Sequence, residues 1–238
     1  MLASLIYIPG TYYYMDPTYM LVIIGALICI IASGNVSRTF NKYSRYQSQR
    51  GVTGAQVAEM ILRNAGITDV RVEHVSGNLT DHYDPRANVV RLSDNVYNSP
   101  SIAAVGVAAH ECGHVIQHHT GYVPIQIRSA IVPLVNIGSK LSWPIIIIGL
   151  IIGHTPLIYV GIILFALALV FQIVTLPVEF NASGRALAIL RESGMLYNDE
   201  IKGARKVLTA AGMTYVTATI STLLQLLRLI ILFGRRSD

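Results

Sequence analysis

Two histidines four residues apart with a glutamate between them, in the run His110-Glu111-Cys112-Gly113-His114, are the residues of this chain best suited to chemistry. On a helix such histidines lie about 40° apart around the axis and roughly 6 Å apart along it, so both imidazoles can reach one zinc ion. Glu111 then stands beside the metal without ligating it, where it can take a proton from water attacking a peptide carbonyl. Five-residue patterns also arise by chance, so the flanking sequence has to decide. It favours a site. Ser99 suits an N-cap and Pro100 the first helical position, residues 102–119 contain no proline, and Gly121 supplies a stop. The apolar run Ile102, Ala103, Ala104, Val105, Val107 and Ala108 predicts a core helix carrying the motif inside a domain.

A zinc site of this kind needs a third protein ligand and one position left for water. A third histidine of the metzincin type would fall at position 120, which is Thr120, so that class is excluded. Acidic residues before the motif belong to predicted loops and strands. Glu179, just after Leu176-Pro177-Val178, is the best-placed candidate. Asp81-His82-Tyr83-Asp84 lacks further ligands and reads as an exposed polar turn between strands. His118 lies about 12 Å along the helix from His110 and cannot share its ion. His74 reads as a strand surface residue, and His119 and His154 as surface or interfacial groups.

The elements that must position these groups include membrane spans. The chain has 238 residues, 53% hydrophobic and 13% charged, and a mean hydropathy of +0.51, which places it outside the usual soluble balance. Residues 18–34 form an unbroken apolar stretch followed by Arg38, Lys42, Arg45 and Arg50, an order that argues against a cleaved signal and predicts an outside N-terminus. Tyr12, Tyr13, Tyr14 and Tyr19 are then candidates for the interface. Residues 131–176, interrupted at Gly153-His154-Thr155-Pro156, read as a hairpin of two spans, with Lys140 in its first leg towards the expected cytoplasmic end. Arg185, Arg191, Lys202, Arg205 and Lys206 follow on what is expected to be the cytoplasmic side. Residues 212–233 carry a polar stripe of Thr214, Thr217, Ser221, Gln225 and Arg228; a spanning helix is favoured over an interfacial one, although Arg235 and Arg236 would then fall outside.

Residues 35–130 have ordinary soluble composition. Thr53 caps a predicted helix bearing Val57, Met60 and Ile61 and ended by Gly66, while residues 70–75 and 87–92 read as strands. The expected fold is an α-helical integral membrane protein with a small cytoplasmic α+β zincin-like, gluzincin, catalytic domain. Its segments are 1–36 with the first span, 37–130 with the motif helix, 131–177 as the hairpin, 178–211 with the third ligand, and 212–238 as the last helix. Cys29 and Cys112 are not expected to pair. The pI near 9.3 reflects basic loops and contact with anionic lipid, and no nucleic-acid motif accompanies it.

The runs His110-Glu111-Cys112-Gly113-His114-Val115-Ile116-Gln117-His118 and Leu176-Pro177-Val178-Glu179-Phe180-Asn181-Ala182-Ser183, with His82-Tyr83-Asp84-Pro85-Arg86 and residues 215–227, resemble the YugP-type neutral zinc metallopeptidases of bacterial membranes. At the site, the chain is also similar to HtpX-type membrane proteases and CAAX prenyl endopeptidases. The resemblance implies one zinc held by His110, His114 and Glu179, with Glu111 as general base; the charge order of the loops places the expected site on the cytoplasmic side of a bacterial plasma membrane. The likeness departs at Ser183, where the HtpX pattern has an aspartate that orients a ligating histidine, so Asn181, Ser183 or Arg185 is expected to take that part. Arg185 and Tyr83 are candidates for stabilising the oxyanion. The expected partners are a protein or peptide substrate and the lipid bilayer. An inactive zinc-binding scaffold is the alternative, with intact Glu111 weighing against it. Few intramembrane charges and no inverted repeat weigh against a transporter.

Overall fold

The computed structural model describes residues 4–8 and 11–234, with side chains from residue 16 onward. Arg235 and Arg236, and the side chains of Tyr12, Tyr13 and Tyr14, lie outside the described residues. The chain is mostly helical. Strands β1 (Ser4–Ile8) and β2 (Thr11–Met15) pair antiparallel; then come α1 (Tyr19–Tyr43), α2 (Gly54–Asn64), β3 (Arg71–His74), β4 (His82–Asp84), β5 (Val89–Leu92), a short α3 (Asp94–Tyr97), α4 (Ile102–His119), α5 (Val123–Ile151), α6 (Thr155–Glu192) and α7 (Asn198–Phe233).

Four helices, α1, α5, α6 and α7, are long and apolar enough to cross a membrane. The break between α5 and α6 falls at residues 152–154, where Gly153 takes φ 69°, so the predicted hairpin has its turn where Gly153-His154-Thr155-Pro156 placed it. The helix α6 runs through Pro177 without ending, and Glu179 therefore sits inside the same helix as the apolar run that precedes it. Likewise α7 is one helix of 36 residues, so the stretch 212–233 continues a polar first half.

The described residues fall into two compact units. One combines those within Met1–Ile31, Ala130–Ile173 and Tyr215–Asp238. Here α5 and α6 approach so closely that a Cβ on Gly161 would lie 2.9 Å from the Ser142 carbonyl oxygen, and Trp143 meets Phe165 edge-on. Arg228 lies 3.7 Å from Asp16 and over the ring of Tyr19, so the polar stripe of α7 has a charged partner in this unit.

The other unit, Ala32–Ser129 with Val174–Thr214, carries the motif. Its sheet has order β3-β5-β4, with β3 parallel and β4 antiparallel to the central β5. The segment Asp81-His82-Tyr83-Asp84 is thus largely an edge strand and not the turn its polarity suggested. Asp81 accepts hydrogen bonds from the Ser93 backbone N–H and hydroxyl, and Asp84 from Arg91, which ties both polar ends into the sheet. Thr53 and Gln56 close a capping box on α2. Val57, Ile61, Val90, Leu92, Val105, Ala108, Leu190, Ala204 and Leu208 share one core, so α4 is enclosed by α2, the sheet and the facing stretches of α6 and α7. This core explains why an 18-residue helix that includes Gly106, Gly113 and several β-branched residues holds together: burial, not propensity, dominates.

The start of α4 corrects the expected cap. The Oγ of Ser101, not of Ser99, accepts the Ala104 N–H. The carbonyl of Pro100 accepts the Ser48 N–H and Gln47 bridges Ser101, which keeps the chain extended until Ser101. At the other end Thr120 is the cap and Gly121 takes φ 63°, letting the Tyr122 N–H reach back to the Gln117 carbonyl.

Candidate metal centre

His110 and His114 lie one turn apart on α4 and Glu179 faces them from α6. The Glu179 Oε2 is 3.4 Å from His110 Nε2 and 3.6 Å from His114 Nε2. Two ligand atoms bound tetrahedrally to zinc at about 2.0–2.1 Å are separated by about 3.3 Å. The donor set, two imidazole nitrogens and a carboxylate oxygen spaced close to that edge length, therefore fits such an ion. Among the described residues no other group of three such side chains is gathered closely enough to hold a metal.

The approach of α6 to α4 depends on a residue the sequence reading passed over. Between the two histidines, Gly113 faces the backbone of Ala182, and a Cβ there would lie 2.6 Å from the Ala182 carbonyl oxygen. Any side chain at 113 would push α6, and Glu179 with it, away from the imidazoles.

Gln117 was also missed. It is fully buried, donates from Nε2 to the Val178 carbonyl (2.8 Å) and to Asn181 Oδ1 (3.0 Å), and turns its Oε1 to His114 Nδ1 at 3.0 Å. Because the carbonyl of Val178 can only accept, the amide orientation is fixed, and Oε1 must accept the Nδ1–H of His114. That tautomer leaves the lone pair on Nε2, the atom turned to Glu179. The signal available in sequence was a glutamine three residues after the second histidine on the same helix face. His110 is steadied from α6, where Ser183 Oγ lies 3.1 Å from its Nδ1.

The remaining expected residues fall around this centre in different ways. Asn181 Oδ1 accepts from Gln117 and from Arg185 Nε (2.8 Å), so Arg185 is tied into the network two residues from the ligating face; its guanidinium also stands 5.8 Å from the Tyr122 ring. Tyr83 packs edge-on against His118, one turn beyond His114. Arg128, which the sequence reading did not single out, approaches the other oxygen of Glu179 to 3.7 Å. Glu111 is buried, with 8% of its surface exposed, next to His110 on α4. His119 pairs with Asp69 at 3.3 Å, His74 with Asp94 at 2.6 Å, and His154 is exposed.

Electrostatics point the same way. Burial disfavours a charged His114, yet the hydrogen bond of Glu179 and the charges of Glu111 and Glu179 outweigh it and hold the imidazole above its ordinary pKa. His114 thus lies in a negative field that favours a cation. His118 is pushed down, first by burial and then by the charges of His114, Arg128 and His119. Burial raises the Cys112 thiol far above its usual value.

A largely buried cluster of two histidines and one glutamate, on helices of a chain with four membrane-type spans, is the donor set of a candidate metal site. Residues 18–234 match the family described as "Putative neutral zinc metallopeptidase", and the chain belongs to that family. It is 46% identical over 207 residues to a Bacillus subtilis protein described as "Putative membrane protease YugP", covering 87% of this chain and 92% of that one. No solved structure matches.

Proposed function

We propose that the protein is a membrane-embedded zinc metalloendopeptidase of gluzincin type, hydrolysing peptide bonds of membrane or membrane-proximal proteins at the cytoplasmic face. The observation that carries the reading is the convergence of His110, His114 and Glu179, with Glu179 Oε2 3.4 and 3.6 Å from the two Nε2 atoms. One zinc ion per chain, held by these three, would polarise a carbonyl and acidify a water molecule. Glu111, non-ligating and adjacent, accepts the proton of the attacking water and delivers it to the leaving amine. Gln117 holds His114 in the Nδ1–H form and Ser183 steadies His110. Asn181, bonded to both Gln117 and Arg185, keeps α6 in register with α4. Membership of a zinc metallopeptidase family and the membrane-protease description of the relative support this reading.

The order of charged segments supports an outside N-terminus and a cytoplasmic site in a bacterial plasma membrane. In that arrangement the segments 37–130 and 178–211 are cytoplasmic and 131–177 crosses as a hairpin. Because Glu179 follows the apolar run of α6 by a few residues, the site belongs close to the bilayer surface.

Glu111→Gln keeps all three candidate ligands and removes only the base. Purified Glu111→Gln protein should bind zinc like the parent and lose hydrolysis of a peptide substrate by several orders of magnitude. Hydrolysis at the parental rate would remove Glu111 from the mechanism. His110→Ala should lose the metal itself, and retention of one zinc per chain would overturn the ligand set. If neither parent nor variants cleave any membrane protein when membrane proteomes are compared, the zinc-binding scaffold becomes the better account.

A further inference from the structure

Away from the metal centre, α1 and α7 run side by side within the motif-bearing unit and enclose an open groove of about 400 Å³. Asn35, Thr39, Lys42 and Tyr43 form its α1 wall, and Arg205, Lys206, Thr209, Ala210 and Met213 its α7 wall. The Tyr43 ring sits tightly on Gly203, where a Cβ would come within 2.9 Å of Cδ1, so one wall of the groove is fixed by a close helix contact. The two ends differ in chemistry. At one end stand Lys42, Arg205 and Lys206, all exposed, and among the described residues none of the three has a carboxylate within 4.0 Å. At the other end Ala210 and Met213 lie where the apolar half of α7 begins, beside Asn35, where the apolar stretch of α1 ends.

From these observations we propose that the groove binds the headgroup of an anionic phospholipid, with the phosphate between Lys42, Arg205 and Lys206 and the acyl chains leaving past Met213. Charge complementarity and position select this occupant. Lys42 is seven residues beyond Asn35, about 10 Å along the helix, while the headgroup layer on each face of a bilayer is about 5–8 Å thick. The long side chains span that difference by reaching back toward the lipid. Cations next to apolar spans attract anionic leaflets, and here three of them line one concavity, Lys42 with its ammonium 5.6 Å from the Tyr43 ring and no carboxylate partner. Nothing in this site overlaps the candidate ligands, so a bound lipid would anchor α7, whose Ala204 packs against Gly106 of α4, without touching the reacting groups.

The inference rests on reading α1 and α7 as spans, and alkaline extraction of membranes tests that reading separately. For the lipid site itself, the full-length chain in neutral detergent is titrated with phosphatidylglycerol, phosphatidylcholine or inorganic phosphate, reading thermal stability and, by native mass spectrometry, retained lipid. Phosphatidylglycerol should be retained and should raise the melting temperature, with phosphatidylcholine and inorganic phosphate having little effect. Lys42→Gln/Arg205→Gln/Lys206→Gln should weaken the lipid effect roughly a hundredfold, in line with the contribution of three interfacial cations. Thr209→Trp fills the groove without removing a charge and should weaken it too, whereas the charge-matched control Arg63→Gln/Arg86→Gln/Lys202→Gln, at three exposed cations outside the groove, should not. Equal responses to the two lipids, full lipid retention by the triple variant, or an equal loss in the control would each overturn the proposal. A response to inorganic phosphate as large as to phosphatidylglycerol would overturn the lipid as occupant.

Discussion

Replacing Gly113 by alanine tests whether the metal centre is set by helix packing. The added Cβ would stand 2.6 Å from the Ala182 carbonyl oxygen and 3.1 Å from the Ala182 carbonyl carbon. A carbon next to a carbonyl oxygen settles no closer than about 3.3 Å, so α4 and α6 must separate by about 0.7 Å. Ala182 is one turn from Glu179 on α6, and the carboxylate moves with it. Metal ligands tolerate about 0.2 Å, so the shift is several times what three-point ligation absorbs. We expect zinc affinity to fall by at least tenfold, about 1.4 kcal/mol. Fold stability without metal should change less. Overpacking costs about 1–3 kcal/mol, while alanine in place of a helical glycine returns about 1 kcal/mol. The assay is competition for zinc with a chelating dye, together with thermal melting of the metal-free protein. Zinc affinity within twofold of the parent, at an unchanged melting temperature, would show that α4 and α6 do not need this contact.

The Gln117→Leu variant should keep the fold but leave the buried His114 Nδ1–H unpaired, costing about 1–3 kcal/mol in chemical denaturation and about 10- to 100-fold in zinc affinity; unaltered affinity would show that the tautomer needs no such support. Ser183→Ala should weaken zinc by roughly tenfold at the lower end of that range, measurable by the same dye competition, with little change in melting. The Cys112 thiol, whose folded pKa is raised by burial, stays protonated where the unfolded chain ionises at about 9.0. Its stabilisation is therefore intact below that pH and is lost above it at about 1.4 kcal/mol per pH unit. Denaturation from pH 8 to 11 should fall more steeply for the parent than for Cys112→Ala, and parallel slopes would contradict the buried thiol.

Much of the local structure follows from short-range pattern. Thr53 and Gln56 announce a capping box, Gly153 marks a turn between two apolar helices, and Gly121 stops α4 in a left-handed conformation. The alternating residues 70–75 reveal β3, while β5 does not alternate and has Val89, Val90 and Leu92 all buried. Alternation conceals β4, where Asp84 and the preceding Asp81 are satisfied by Arg91 and Ser93, partners no local window contains. The cap of α4 is misplaced for the same reason: both Ser99 and Ser101 suit an N-cap, and the choice is made by the contact of Pro100 with Ser48.

The sequence by itself determined that His110 and His114 share a helix face with Glu111 beside them, that a third donor would have to come from elsewhere, and that apolar stretches flank along the chain a segment of ordinary soluble composition. These follow from helical periodicity and from hydropathy, both properties of adjacent residues. Only the tertiary structure decided that Glu179 meets the histidines, that Gln117 fixes one tautomer and Ser183 steadies the other ring, and that Gly113 sets the distance between α4 and α6. It also decided that Lys42 stands opposite Arg205 and Lys206. Each of those outcomes depends on how closely two helices distant in sequence can pack, which is governed by the volumes meeting at their contact and has no local period to read.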